Sequence, residues 1–93
     1  MNIAGRPKLN TFKQKHADAC SHIDAWLAEA KEASWKSPHD VKAKYPKASI
    51  LKGGVVIFNI KGNDYRLKVK IEYKSGSILI MNVGTHDEYM NKW

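Results

Sequence analysis

Val55-Val56-Ile57-Phe58-Asn59-Ile60-Lys61-Gly62-Asn63-Asp64-Tyr65-Arg66-Leu67-Lys68-Val69-Lys70-Ile71-Glu72-Tyr73 is the stretch from which the fold is read. Its first six residues are β-branched and apolar on both faces, as a strand in the middle of a sheet requires. Gly62-Asn63 tolerates positive φ and predicts a hairpin turn. From Asp64 to Tyr73 the chain alternates. Tyr65, Leu67, Val69, Ile71 and Tyr73 point one way; Asp64, Arg66, Lys68, Lys70 and Glu72 point the other. Ser75-Gly76 predicts a second turn, and Ser77 to Gly84 a third strand.

Upstream of this stretch the apolar spacing becomes helical. Residues 8–16 predict a first helix, with Pro7 at a tolerated leading position and Leu9, Phe12 and His16 on one side. Asp18 suits a cap for a second helix running to about Ala33, with Ile23, Trp26, Leu27 and Ala30 as its apolar stripe. Ser37-Pro38 starts a short helical turn, Pro38 to Lys44, which Pro46 ends. This order predicts an α+β fold: two N-terminal helices packed on one face of a small antiparallel sheet of about three strands. The aromatics Trp26, Tyr45, Phe58, Tyr65 and Tyr73 are expected in the core or between layers rather than as platforms for bases.

The chain has 93 residues, 43% of them apolar and 27% charged, which predicts a single domain over residues 1–93. The longest apolar runs, Val55–Phe58 and Ile78–Met81, are far too short to span a membrane, so no membrane partner is expected. Met1 to Arg6 has no apolar stretch behind its charge, so no secretory signal is expected. Cys20 is the only cysteine, which rules out an internal disulfide and fits a reducing cytoplasm.

The formal net charge is +7, and it is unevenly spread. Residues 35–74 carry ten bases and three acids, whereas residues 1–34 carry five and four. A patch of this kind attracts a polyanion, because each neutralised phosphate releases condensed counterions. Arg66, Lys68 and Lys70 share one face at a spacing of roughly 6.5–7 Å, comparable with neighbouring phosphates of a single strand. Arginine offers a phosphate a planar fork and lysine a mobile point charge. An ordinary solvated sheet face is the competing explanation. Gly84-Thr85-His86-Asp87-Glu88-Tyr89 supplies a histidine suited to proton exchange near neutral pH, and Tyr89 shares its side if a helical turn begins there. His16 and Cys20 lie one helical turn apart, but His22 points elsewhere and no fourth ligand is evident, so no metal or other cofactor is expected.

The run Val56 to Leu67, followed by Val83-Gly84-Thr85-His86-Asp87-Glu88-Tyr89, resembles the HigB toxins of the RelE-like superfamily, which belong to type II toxin–antitoxin systems. Lys15-His16-Ala17-Asp18-Ala19, Trp26, Ala33-Ser34-Trp35-Lys36-Ser37-Pro38, Asp40-Val41-Lys42 and Ala48-Ser49 extend the resemblance over nearly the whole chain. It implies a cytoplasmic bacterial mRNA interferase, an endoribonuclease that enters the ribosomal A site and cuts mRNA by metal-independent attack of a ribose 2′-hydroxyl. It implies as partners mRNA on the ribosome, a cognate helix-turn-helix antitoxin, and operator DNA through the toxin–antitoxin complex alone. On this resemblance Arg66 steadies the phosphorane, His86 is the acid or base, and Lys68 is a catalytic cation. Lys70, Tyr89, Lys61 and Lys52 are then expected to hold RNA.

Relatives commonly show Ile-Arg where this chain has Ile80-Met81. Met81 is expected on the face of Leu79 and Val83. Loss of that arginine, at about 2–4 kcal/mol by analogy with oxyanion donors, implies attenuated activity. The end Tyr89-Met90-Asn91-Lys92-Trp93 also departs from the more usual acidic continuation. Two other functions remain in play: a non-catalytic RNA- or ribosome-binding module, and a protein-interaction role in which an acidic antitoxin segment occupies the basic groove.

Overall fold

A three-residue strand, Asn2–Ala4 (β1), opens the fold. Gly5, at φ 88°, turns the chain into helix Arg6–Lys15 (α1), whose first turn holds Pro7, where no backbone N–H is needed. A 3-10 turn at Ala17–Ala19 leads into helix Cys20–Glu32 (α2) and then helix Pro38–Lys44 (α3). Strand Ser49–Ile50 (β2), a 3-10 turn at Lys52–Gly54, and strands Val55–Ile60 (β3), Tyr65–Glu72 (β4) and Ser77–Thr85 (β5) follow, with helix His86–Lys92 (α4) last. The computed structural model describes residues 1–92.

The sheet has five strands in the order β1-β5-β4-β3-β2. β1 runs parallel to β5, with Ile3 opposite Ile78; the other pairs are antiparallel. The α+β expectation holds, but the three-stranded antiparallel sheet is corrected to a five-stranded mixed one. The two added edge strands have three and two residues, too few to show any periodicity.

Leu9 and Phe12 of α1, Ile23, Trp26 and Ala30 of α2, and Val41 of α3 pack against Val56, Phe58, Leu67, Val69, Ile71, Ile78 and Ile80 of the sheet. Trp26 meets the Phe58 ring edge-on at 5.3 Å between centroids. Each large side chain buried in this way contributes about 1.5–3 kcal/mol. The first three helices therefore cover one sheet face, and the cations of β4 lie on the other.

Asp18 does not cap α2, whose start carries no side-chain cap. Its carboxylate accepts the Tyr65 hydroxyl at 2.7 Å and the Lys61 ammonium at 2.8 Å. Two charged or strongly polar donors outcompete a single backbone N–H for it.

The β4–β5 pairing slips by one residue. Lys68 faces Asn82 but Val69 faces Ile80, so Met81 is the extra residue of a β-bulge. The bulge overturns the shared face expected for Leu79, Met81 and Val83. Val83 pairs with Leu67 and packs on the core, whereas Leu79 pairs with Lys70 on the opposite face and is 48% exposed.

Candidate active site

The turn between β3 and β4 places the first functional side chain. Lys61 (φ 51°) and Gly62 (φ 63°) bend the backbone sharply, which brings Asn63 beside the start of β4. Arg66 donates to the Asn63 carbonyl at 3.0 Å, to the Asn63 Oδ1 at 2.8 Å and to the Tyr65 carbonyl at 3.3 Å. The guanidinium is thus clamped by its own turn and is only 8% exposed. Alternation placed it on an open face; the turn and α4 cover it instead. Gly84, directly across the ladder from Arg66, carries no side chain to crowd it.

Helix α4 brings the other two groups. Its start is a capping box: the Thr85 N–H donates to Glu88 Oε1 at 3.0 Å, and the Glu88 N–H donates to Thr85 Oγ1 at 3.2 Å. The His86 N–H donates to the Asp64 carbonyl at 3.0 Å, which fastens the helix to the hairpin turn. With its first turn so held, the helix places the Tyr89 ring 5.3 Å from the Arg66 guanidinium carbon and 6.5 Å from the His86 ring. A cation held against an aromatic face gains about 0.5–2 kcal/mol, more when shielded from water. Arg66, Tyr89 and His86 therefore meet at one end of the sheet. Beside them lies a cavity of about 450 Å³ lined by Asn63, Asp64, Tyr65, Thr85, His86 and Asp87.

Lys68 and Lys70 continue along the Arg66 face, Lys68 half-buried and Lys70 exposed. Lys52 is exposed in the 3-10 turn ahead of β3, at the Lys70 end of the sheet and away from Arg66. Lys61 does not join this row. It pairs with Asp18 at 2.8 Å and approaches Asp64 at 4.0 Å. Its ammonium and the Tyr65 hydroxyl hold the Asp18 carboxyl down at about 2, and the same contacts raise the pKa values of Lys61 and Tyr65.

A family model matches residues 19–92, and it describes the HigB toxin, the RelE-like toxic component of a toxin–antitoxin system. The chain belongs to the HigB toxin family. Comparison with curated proteins finds no match. The match runs from the last residue before α2 through α4, so it takes in Arg66, His86 and Tyr89 and leaves β1 and α1 outside. Membership implies an antitoxin partner. No helix among the described residues is long and apolar enough to cross a membrane.

In this HigB-family chain His16 and Cys20 make other contacts. His16 packs against the Phe12 ring at 4.5 Å and the Tyr65 ring at 5.3 Å. Cys20 Sγ donates to the Lys13 carbonyl at 3.5 Å. Among the described residues no three His, Cys, Asp or Glu side chains gather as metal ligands. Sequence reasoning missed Asn63 and Asp64 as the residues that position Arg66 and His86. It also missed the capping box, although Thr85-His86-Asp87-Glu88 carries its signature.

Proposed function

We propose that this HigB-family toxin is a ribosome-dependent endoribonuclease, acting in the cytoplasm, that cleaves mRNA in the A site without a metal ion. The observation that carries this reading is the convergence of the clamped Arg66, the Tyr89 ring and the His86 imidazole. The ribose 2′-oxygen bonds to the adjacent phosphorus and the bond from phosphorus to the 5′-oxygen breaks. The products are a 2′,3′-cyclic phosphate and a 5′-hydroxyl. The proton of the 2′-hydroxyl goes to a base, and the leaving oxygen takes one from an acid. His86 fills one of these roles, and Lys68 serves the second or neutralises phosphate charge. General acid–base help of this kind contributes about 10²–10⁴-fold.

Arg66 stabilises the charge that develops on the phosphorane oxygens. Tyr89 covers its face, and Asn63 and the Tyr65 carbonyl take one end of the guanidinium; a phosphate would meet the Nε–H side, which no contact described above uses. The enclosure strengthens the interaction, because little water competes at an 8% exposed group. Lys70 and Lys52 hold phosphates further along the strand. Lys61 contributes indirectly, by fixing the turn that carries Asn63.

Primer extension on translated mRNA tests the assignment. Expression of the wild type is expected to give discrete cuts, and Arg66→Ala and His86→Ala to weaken them by about 10²-fold or more. A wild type that cuts nothing, or two variants that cut as well as it does, removes the catalytic assignment. Met81, at the position where relatives commonly carry arginine, favours a second reading as an RNA- or ribosome-binding module without scission. That module is expected to show salt-steep affinity and no cut ends.

A further inference from the structure

A second cavity, of about 370 Å³, lies between α1 and the bulge of β5. α1 carries Arg6, Lys8, Lys13 and Lys15 and no acidic residue. Lys13 is paired with Asp24, on the side of α2. Lys8, Thr11 and Lys15 recur at helical spacing and line the cavity, with His16 just beyond the helix end and Asn82 on the facing wall. Lys8 reaches across and donates to the Met81 carbonyl at 2.9 Å, so an ammonium stands at the bulge itself. Glu88 is the carboxylate in the lining, and its Oε1 already accepts the Thr85 N–H. The charge around the cavity is therefore net positive.

Asn82 links this cavity to the site already described. It lines the cavity, and it is also the ladder partner of Lys68. Lys68 on β4, Asn82 beside it on β5, and Lys8 and Lys15 of α1 across the cavity thus lead from one sheet face round the β5 edge.

We infer that the α1 cavity is a second phosphate subsite, which holds the backbone of a flanking nucleotide in the same RNA strand whose scissile phosphate Arg66 engages. The inference rests on the RNA-cleaving reading above. Lys8 and Lys15 supply charge, and the Thr11 hydroxyl and Asn82 amide supply hydrogen-bond donors. The strand accordingly crosses the sheet from β4 to β5 and α1 instead of following β4 alone. The helix that supplies the lysines lies outside the family match, whereas Asn82 on the facing wall lies within it.

The test is fluorescence anisotropy of the full chain with a short, uncleavable 2′-O-methyl single-stranded RNA over a salt series. The double variant Lys8→Gln, Lys15→Gln is expected to bind about tenfold more weakly and to flatten the log–log salt slope by about 1.4, roughly 0.7 for each phosphate that is no longer neutralised. Lys8→Arg with Lys15→Arg is expected to bind like the wild type, which shows that charge and not folding is being read. Lys31→Gln, on the exposed side of α2, is expected to change neither quantity. If the double variant keeps the wild-type slope while Arg66→Ala weakens binding, the subsite is overturned and the nuclease stands. Equal losses in the double variant and Lys31→Gln overturn it in favour of diffuse charge. A wild type that does not bind the strand overturns it too, and primer extension then decides the nuclease separately.

Discussion

Asp18 joins three parts of the chain through one carboxylate: the 3-10 turn that holds it, the Tyr65 hydroxyl of β4 and the Lys61 ammonium of the hairpin turn. Its carboxyl titrates at about 2 in the folded protein against 3.8 ordinarily, first because Lys61 and then because Tyr65 donates to it. A depressed carboxylate pKa stabilises the fold above the ordinary value, and the stabilisation is lost as pH falls through the folded one. The melting temperature is therefore expected to drop between about pH 4 and pH 2, and Asp18→Asn to remove part of that drop. Thermal scans across this window check it; an unchanged acid limb in Asp18→Asn shows that the network does not support the fold. Nothing near Asp18 in sequence reveals these partners, because Tyr65 lies 47 residues away. Arg66 was legible as a cation of an alternating strand. Its burial was not, since the groups that cover it come from a turn and from a helix beyond the next strand.

At the scale of elements, the turn before β3 shows how closely two pieces of backbone pass. Gly53 and Gly54 both have positive φ, 74° and 80°. A Cβ at Gly53 meets nothing within 4 Å, whereas one at Gly54 falls 2.6 Å from the Ile71 carbonyl oxygen. Gly53→Ala is expected to cost about 1–2 kcal/mol, the penalty for left-handed backbone alone. Gly54→Ala is expected to cost clearly more, as β4 must shift to admit the methyl group. Urea denaturation of the two variants reads the difference, and equal midpoints contradict it. The β5 bulge leads to another expectation: Met81→Arg adds a guanidinium near Asn82 and Lys8 and is expected to increase cleavage or growth arrest. No change in either places position 81 outside the site. β4 and α2 are readable because they are long and periodic, and β3 because it is β-branched and apolar on both faces. The bulge was not, because Ile78-Leu79-Ile80-Met81 is apolar throughout and an inserted residue breaks no alternation.

Across the whole molecule, one core on the helical face carries stability and the other face carries the cations of β4. Trp26 is the largest fully buried side chain among the described residues and packs on Phe58 under α2. Trp26→Ala is expected to cost about 3–5 kcal/mol. Against a net stability on the order of 5–10 kcal/mol, that loss should lower the denaturation midpoint sharply. Urea titration followed by circular dichroism measures it, and a midpoint close to the wild type's contradicts the packing described. The concentration of bases in residues 35–74 draws attention to the middle of the chain and passes over α1, whose four bases are offset in sequence by Asp18, Asp24, Glu29 and Glu32 downstream. Averaging over a segment hid a face that the fold presents on its own.

The pairing of Ile3 with Ile78 ties an early strand to a late one. During synthesis β1 waits for its neighbour until β5 has emerged, and α4, with His86 and Tyr89, follows later still. A chain made only as far as β4 therefore has neither a closed sheet nor the histidine and tyrosine that meet Arg66, so the fold and the candidate site are completed together.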